Sequence, residues 1–215
     1  MKMRLSVLSV IFFSVAIVAS AQESDAKAQQ LAKDVWTASG GENWSKVKEI
    51  RFTFIVEENG KELAHAEHDW YLAEGTDRVK WKGKDVTVNL NNPAADEDGK
   101  AGYARWVNDS YWLLAPLKIL DKGVTLKSEG QKESEGVMCE TLRMSFAQVG
   151  LTPGDQYVLY INPQTKLVRA WEYIPKPETV MHGTWDQYGK FGGVNLSTEH
   201  KFADKVIRFA AVEVL

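Results

Sequence analysis

Histidine, cysteine and carboxylate side chains are the groups in this 215-residue chain that could bind a metal ion. His65 and His68 are three residues apart in a predicted strand, which places them on opposite faces, so they cannot share an ion. His182 and His200 lie on different predicted strands and have no acid or cysteine at ligand spacing beside them. We therefore expect no metal site and no cofactor.

Nucleophilic catalysis also lacks its usual patterns. There is no Gly-x-Ser-x-Gly elbow, and Cys139, within a predicted strand, is interpreted as a small buried hydrophobic residue. Asp69 adjoins His68, but neighbours on a strand point apart. Glu172 lies among apolar residues, which could raise its pKa, although an outward or arginine-paired carboxylate is the simpler interpretation. We predict no catalytic residues and a protein that is not an enzyme.

The first 21 residues have the three parts of a secretory signal peptide. Lys2 and Arg4 form the positive region, Leu5–Val18 the apolar region, and Ala19–Ala21 the small-x-small cleavage pattern. We expect cleavage before Gln22, because the apolar run is shorter than the roughly 20 residues of a membrane-spanning helix. No cysteine lies near the cut, so no lipid anchor and no stable membrane insertion are expected. The prediction is a periplasmic or secreted protein whose residues 22–215 form one domain.

Composition narrows the possible partners. The chain has 26 basic and 29 acidic residues, and loss of Lys2 and Arg4 with the leader moves its net charge from −3 to −5. A mildly acidic surface argues against nucleic acid as a partner. With Cys139 as the only cysteine, no internal disulfide can form. We expect a monomer stabilised by its hydrophobic core.

The pattern of apolar residues predicts one helix followed by many strands. Ser24–Ser39 carries an apolar stripe, with Ser24 or Asp25 as its cap and Gly40-Gly41 as its end. Asn59-Gly60 is typical of a two-residue hairpin turn. The predicted strands are Glu49–Glu57, Glu62–Ala73, Arg78–Trp81, Val86–Leu90, Val124–Ser128, Met138–Phe146, Gln156–Asn162, Leu167–Ile174, Val180–Tyr188, Val194–Phe202 and Val206–Val214. Such hairpins favour a mainly β (α+β) fold: a large curved antiparallel sheet forming a half-open barrel, with an N-terminal helix.

Two segments interrupt the strands. Asn91–Gly102 is polar and is predicted to be a loop. Asp109–Leu120 is too apolar for a surface loop, and Pro116 forbids a central strand. We predict one or two short helices here, capped by Asp109 or Ser110, which act as a plug against the sheet. Its part from Trp112 to Leu120 is the candidate for a movable lid.

Aromatic and aliphatic side chains are the remaining candidates for a site. If the sheet curls, they could line its concave face and bind an apolar ligand, although a filled core has the same composition. The predicted lining residues are Phe52, Phe54, Trp70, Leu72, Trp81, Trp106, Trp112, Leu114, Leu117, Trp171 and Tyr173.

The order of elements resembles the lipoprotein-carrier superfamily of LolA and LolB. Gln156–Leu167 is similar to that superfamily's strand–turn–strand with a "D-x-x-T-x-L" turn, with Asn162 in place of the acid. Trp106–Leu114, followed by Pro116, resembles the inner helix of uncharacterised exported relatives. The resemblance implies an unclosed β-barrel whose helices cover an apolar cavity for acyl chains, in proteins that are carriers or sensors.

These observations predict a soluble periplasmic binding or carrier protein for a lipid or other apolar small molecule. Two alternatives stay open. One is an envelope interaction protein with a filled core and a protein partner. The other is a small envelope hydrolase, which would need Asp69, His200 and Glu172 to cluster.

Overall fold

The computed structural model describes residues 14–146, 150–152 and 154–215, with side chains from residue 26 onward. The positive part of the predicted signal peptide therefore lies outside the described residues. The helices are α1 (Ser14–Ala38), α2 (Gly41–Trp44) and α3 (Glu97–Leu114). The strands are β1 (Glu49–Glu58), β2 (Lys61–Tyr71), β3 (Thr76–Trp81), β4 (Lys84–Asn89), β5 (Val124–Ser134), β6 (Val137–Phe146), β7 (Gln156–Ile161), β8 (Val168–Lys176), β9 (Thr179–Thr184), β10 (Asp186–Phe191), β11 (Val194–Lys201) and β12 (Lys205–Val214).

Helix α1 packs its apolar stripe against the five-stranded sheet. The stripe is fully buried and consists of Ala28, Leu31, Ala32 and Val35. The helix ends where predicted, because Gly40 takes a φ of +81°. Its predicted start is wrong: the described helix already includes Ser14, so Ser24 and Asp25 lie inside it and do not cap it. No helix among the described residues is long and apolar enough to span a bilayer.

The strands form two antiparallel sheets. The larger has the order β10-β11-β12-β1-β2-β3-β4, and the smaller has the order β5-β6-β7-β8-β9. In the described part of the chain the outer strands of each sheet have one paired neighbour, so neither sheet closes. The predicted class, mainly β with a half-open curved sheet, an N-terminal helix and a helical plug, is confirmed.

One predicted strand is divided between the two sheets. Val180–Tyr188 is split at Trp185, whose backbone N–H donates to the carbonyl of Arg169, one step beyond the Ala170–Thr184 pair of β8 and β9. The preceding part becomes β9 of the smaller sheet, and the following part becomes β10 of the larger one. Trp185 itself is buried between them, which connects the sheets through a packed side chain.

The observed bounds of helix α3 differ from two predictions. Residues 97–102 of the predicted loop and residues 109–114 of the predicted plug belong to one helix, which is capped by the Asp96 carboxylate accepting from the Gly99 N–H. Asp109 and Ser110 therefore lie within a helix and do not begin one. Gly102 weakens helix propensity, but it is needed for close packing, because a Cβ there would lie 2.7 Å from Cγ2 of Val88.

The end of α3 and the turn after it join the two halves of the core. Leu113, Leu114 and Leu117 pack with the larger sheet, while Ala115 and Ile119 pack with α1 and the smaller sheet. All five are at most 3% exposed. Most of the segment predicted as a movable lid is thus packed in the core, with Leu120 exposed at its end, and its movement stays a prediction.

Candidate functional site

Two adjoining pockets lie between α3 and the smaller sheet. The first has a volume of about 230 Å³ and the second about 200 Å³. Four lining residues belong to both: Val107, Tyr111, Phe146 and Gly150. The two pockets are therefore neighbours in one trough, divided where the rings of Tyr111 and Phe146 meet edge-on with centroids 6.0 Å apart. Together they lie in the lower part of the roughly 300–1,000 Å³ range of small-molecule sites.

Aromatic rings from four elements build the first pocket. On α3, Val107 and Tyr111 are four residues apart and so share a helix face. Across the trough, Tyr157 of β7 is paired with Tyr173 of β8, and their rings stack with centroids 5.2 Å apart. The Phe146 ring of β6 meets Tyr157 edge-on at 5.8 Å. These aromatic walls suit an apolar molecule.

The first pocket contains one carboxylate. Asp155 is 8% exposed and accepts a hydrogen bond of 2.8 Å from the Tyr173 hydroxyl. Burial, together with this bond, raises the pKa of Tyr173 to about 12. Tyr173 is therefore a neutral donor at physiological pH, and Asp155 already has a partner.

Charged side chains border the second pocket. Lys118, Asp121 and Lys122 line it, and the Lys118 ammonium lies 2.9 Å from the Asp121 carboxylate. The Tyr111 hydroxyl is buried and has no hydrogen-bond partner among the described residues. This burial raises its pKa well above the usual value. The second pocket is thus the end of the trough that carries lysine side chains.

The predicted lining residues divide into two groups. Trp106, Trp112 and Tyr173 line the trough, and their role in binding stays a prediction. Trp171 is fully buried behind the wall, with its ring 4.7 Å from that of Tyr157. The others pack in the cores away from the trough; they are Phe52, Phe54, Trp70, Leu72, Trp81, Leu114 and Leu117.

Sequence reasoning missed Val107, Tyr111, Phe146 and Tyr157. A signal for the first two was present, since Tyr103, Val107 and Tyr111 recur at helical spacing. The predicted loop ends at Gly102 and the predicted plug begins at Asp109, so Tyr103 and Val107 fall between the two predictions. Tyr157 could be found only through its pairing with Tyr173, which requires the register of the β7–β8 hairpin.

A buried histidine fixes the pocket-bearing helix to the larger sheet. His68 of β2 donates from Nδ1 to Oδ2 of Asp77 at 2.8 Å and from Nε2 to Oδ2 of Asp109 at 3.1 Å. The ring also stacks on Phe52, with centroids 4.6 Å apart. Asp109 lies on α3, so one imidazole connects β2, β3 and that helix.

The two carboxylates keep His68 charged. Burial by itself would lower the pKa of His68, but the hydrogen bonds to Asp109 and Asp77 and their negative charges raise it to about 9. Burial raises the pKa of Asp77, and the neighbouring His68 opposes that rise. Arg105 attracts the Asp109 carboxylate more weakly than His68 does, because its guanidinium lies 3.9 Å away. We therefore describe the cluster at neutral pH as an imidazolium between two carboxylates.

A second buried histidine supports the end of the same helix. Pro116 has no N–H for the carbonyl of Trp112, four residues earlier. Nε2 of His200, on β11, lies 3.0 Å from that carbonyl oxygen and can donate to it. Nδ1 lies 3.2 Å from the carbonyl of Thr184. Burial lowers the pKa of His200 to about 4, so this ring is neutral at pH 7.

The three groups that a hydrolase would need do not come together. His200 is completely buried, and Glu172 accepts a hydrogen bond from the Tyr160 hydroxyl instead of pairing with an arginine. Asp69 lies 3.9 Å from Arg51, on the face of β2 opposite His68. Cys139 is fully buried among apolar residues.

No protein-family model and no curated protein matches this sequence. Solved structures do match the fold. A DUF1329 family protein from Desulfovibrio piger has a TM-score of 0.52 and 12% identity, over 89% of this chain and 93% of that one. A LolA superfamily protein from Nitrosomonas europaea has a TM-score of 0.50 and 6% identity, over 87% of this chain and 93% of that one. The protein therefore has a LolA-like fold, as its sequence predicts.

Proposed function

We propose that the protein binds a lipid or other apolar small molecule in the trough between α3 and the smaller sheet. The observation that carries this proposal is the pair of adjoining, mainly apolar pockets that share Val107, Tyr111, Phe146 and Gly150. Each methylene removed from water contributes about 0.8 kcal/mol. An acyl chain that buries most of its length can therefore offset the cost of association.

We also propose that the protein is exported and acts as a carrier or sensor. The signal-like residues 1–21 support export, and the likeness in fold to a LolA superfamily protein supports a binding role. Cell fractionation followed by N-terminal sequencing tests export. The expected result is a periplasmic or secreted chain that begins at Gln22, and an uncleaved chain in the cytoplasm would contradict it.

A matched pair of variants tests the position of the ligand. Val107→Trp fills the part of the trough that both pockets share, whereas Ala104→Trp adds the same side chain at an exposed position of α3. Titration with a fluorescent fatty acid should show at least tenfold weaker binding for V107W and unchanged binding for A104W. Equal binding by both variants would place the ligand elsewhere.

A protein-binding role is a second candidate, favoured by β9. This strand forms an edge of the smaller sheet, and it carries Val180 at 56% exposure and Met181 at 37%. An exposed apolar edge strand can pair with a strand of another chain. Val180→Lys should then abolish capture of an envelope protein without changing fatty-acid binding. Unchanged capture would count against this role.

A further inference from the structure

The two ends of the trough carry opposite charges. Asp155 is the only carboxylate among the described residues that line the first pocket. Two lysines and one aspartate line the second pocket. Because Asp121 pairs with Lys118, the Lys122 ammonium is left without an ion-pair partner among the described side chains. The end near Lys118 and Lys122 therefore has a net positive charge, in a chain whose overall charge is −3.

We propose that the ligand is a single-chain amphiphile with an anionic headgroup, bound with its headgroup at Lys118 and Lys122. This inference rests on the proposed function and specifies the class of ligand. The chain extends along Val107 and Gly150, which line both pockets, and ends beside Tyr157 and Tyr173. The reverse orientation would place the anion at Asp155, where like charges repel.

The surroundings of the lysines favour this arrangement. Lys118 has a side chain that is 33% exposed, so its methylenes cover apolar surface while the ammonium reaches water. Trp106, Val124 and Phe146 lie in the same pocket wall. A charge pair beside apolar walls is screened less than one in open solvent. An anionic headgroup here can bind both ammonium groups or compete with Asp121 for Lys118.

Four amphiphiles with the same twelve-carbon chain separate the contribution of the headgroup to affinity from that of the chain. Dodecanoate and dodecyl phosphate are anionic, dodecanol is neutral, and dodecyltrimethylammonium is cationic. Binding to the full protein is measured by calorimetry below the micelle-forming concentration. We expect both anions to bind about fivefold more tightly than dodecanol, as for a partly exposed ion pair. The anion that binds more tightly shows whether the site prefers a carboxylate or a phosphate.

Two charge-reversal variants, one inside the trough and one outside it, test the position of the headgroup. Lys122→Glu should weaken dodecanoate binding about tenfold and leave dodecanol binding unchanged. Lys100→Glu makes the same change in net charge at an exposed position of α3 outside the trough and should affect neither ligand. High salt should weaken the anions selectively.

The outcomes distinguish this inference from the proposed function. Equal affinity for all four compounds, or a preference for the cation, would overturn the headgroup assignment and leave apolar binding in place. An unchanged dodecanoate affinity in K122E would overturn it as well. If none of the four compounds binds, the proposed function itself fails.

Discussion

Nε2 of His68 lies 3.1 Å from Oδ2 of Asp109, and this contact joins the larger sheet to the helix that forms one wall of the trough. Asp77 holds the other nitrogen of the same ring. The three side chains are buried and come from three different elements. The position of α3, and with it the width of the trough, therefore depends on an ionic cluster as well as on apolar packing.

Replacing His68 should destabilise the protein strongly. In His68→Gln the carboxylates of Asp77 and Asp109 lose their positive partner in a buried site, and breaking such a group costs about 3–5 kcal/mol. Urea unfolding measures the free energy of unfolding. His65→Gln, three residues away on the exposed face of β2, is the matched control and should change it by less than about 0.5 kcal/mol. Equal effects of the two variants would show that the contacts of His68 with Asp77 and Asp109 do not stabilise the fold.

The same cluster predicts a loss of stability at alkaline pH. The pKa of folded His68 is raised to about 9, above roughly 6.5 in an unfolded chain. The contribution of His68 to the free energy of unfolding is therefore fully present below pH 6.5 and is lost as the pH rises through 9. We expect a loss of roughly 2 kcal/mol between pH 7 and pH 9, measured by urea unfolding at each pH. Because other groups also titrate, H68Q serves as the reference, and a slope in H68Q as steep as in the wild type would contradict the prediction.

His200 predicts the opposite dependence on the acid side. Burial lowers its folded pKa to about 4, so an unfolded chain takes up a proton at a higher pH than the folded one. The contribution of neutral His200 to the free energy of unfolding is present above pH 6.5 and is lost as the pH falls toward 4. Wild type should lose roughly 2 kcal/mol between pH 7 and pH 5 through this residue. His200→Gln should show a correspondingly smaller loss over that interval, and an identical loss in both proteins would refute the neutral-histidine assignment.

The sequence was sufficient to predict the parts of the fold that local patterns determine. The apolar stripe of α1 is buried as its spacing predicts. Asn59 and Gly60 both take positive φ angles, as their two-residue turn requires. The larger-scale likeness to LolA-type proteins was also predictable, because helix, hairpins and plug occur in a recognisable order.

Local patterns failed where distant residues decide the structure. Gly99 and Gly102 make the start of α3 look like a loop, yet the helix needs Gly102 to approach Val88. His68 appeared to have only Asp69 beside it, whereas its partners are 9 and 41 residues away. These partners become visible only when β2, β3 and α3 are placed together, which is why the cluster was not predicted.

The central claim is that the trough holds an apolar ligand, and native mass spectrometry of protein purified from the periplasm, combined with lipid extraction, tests it most directly. We predict a population heavier than the polypeptide by the mass of one acyl-chain compound, which the extract should contain. The same preparation of V107W should lack this population, whereas A104W should retain it. A clean mass of the polypeptide alone, together with no uptake of added fluorescent fatty acid, would contradict the claim.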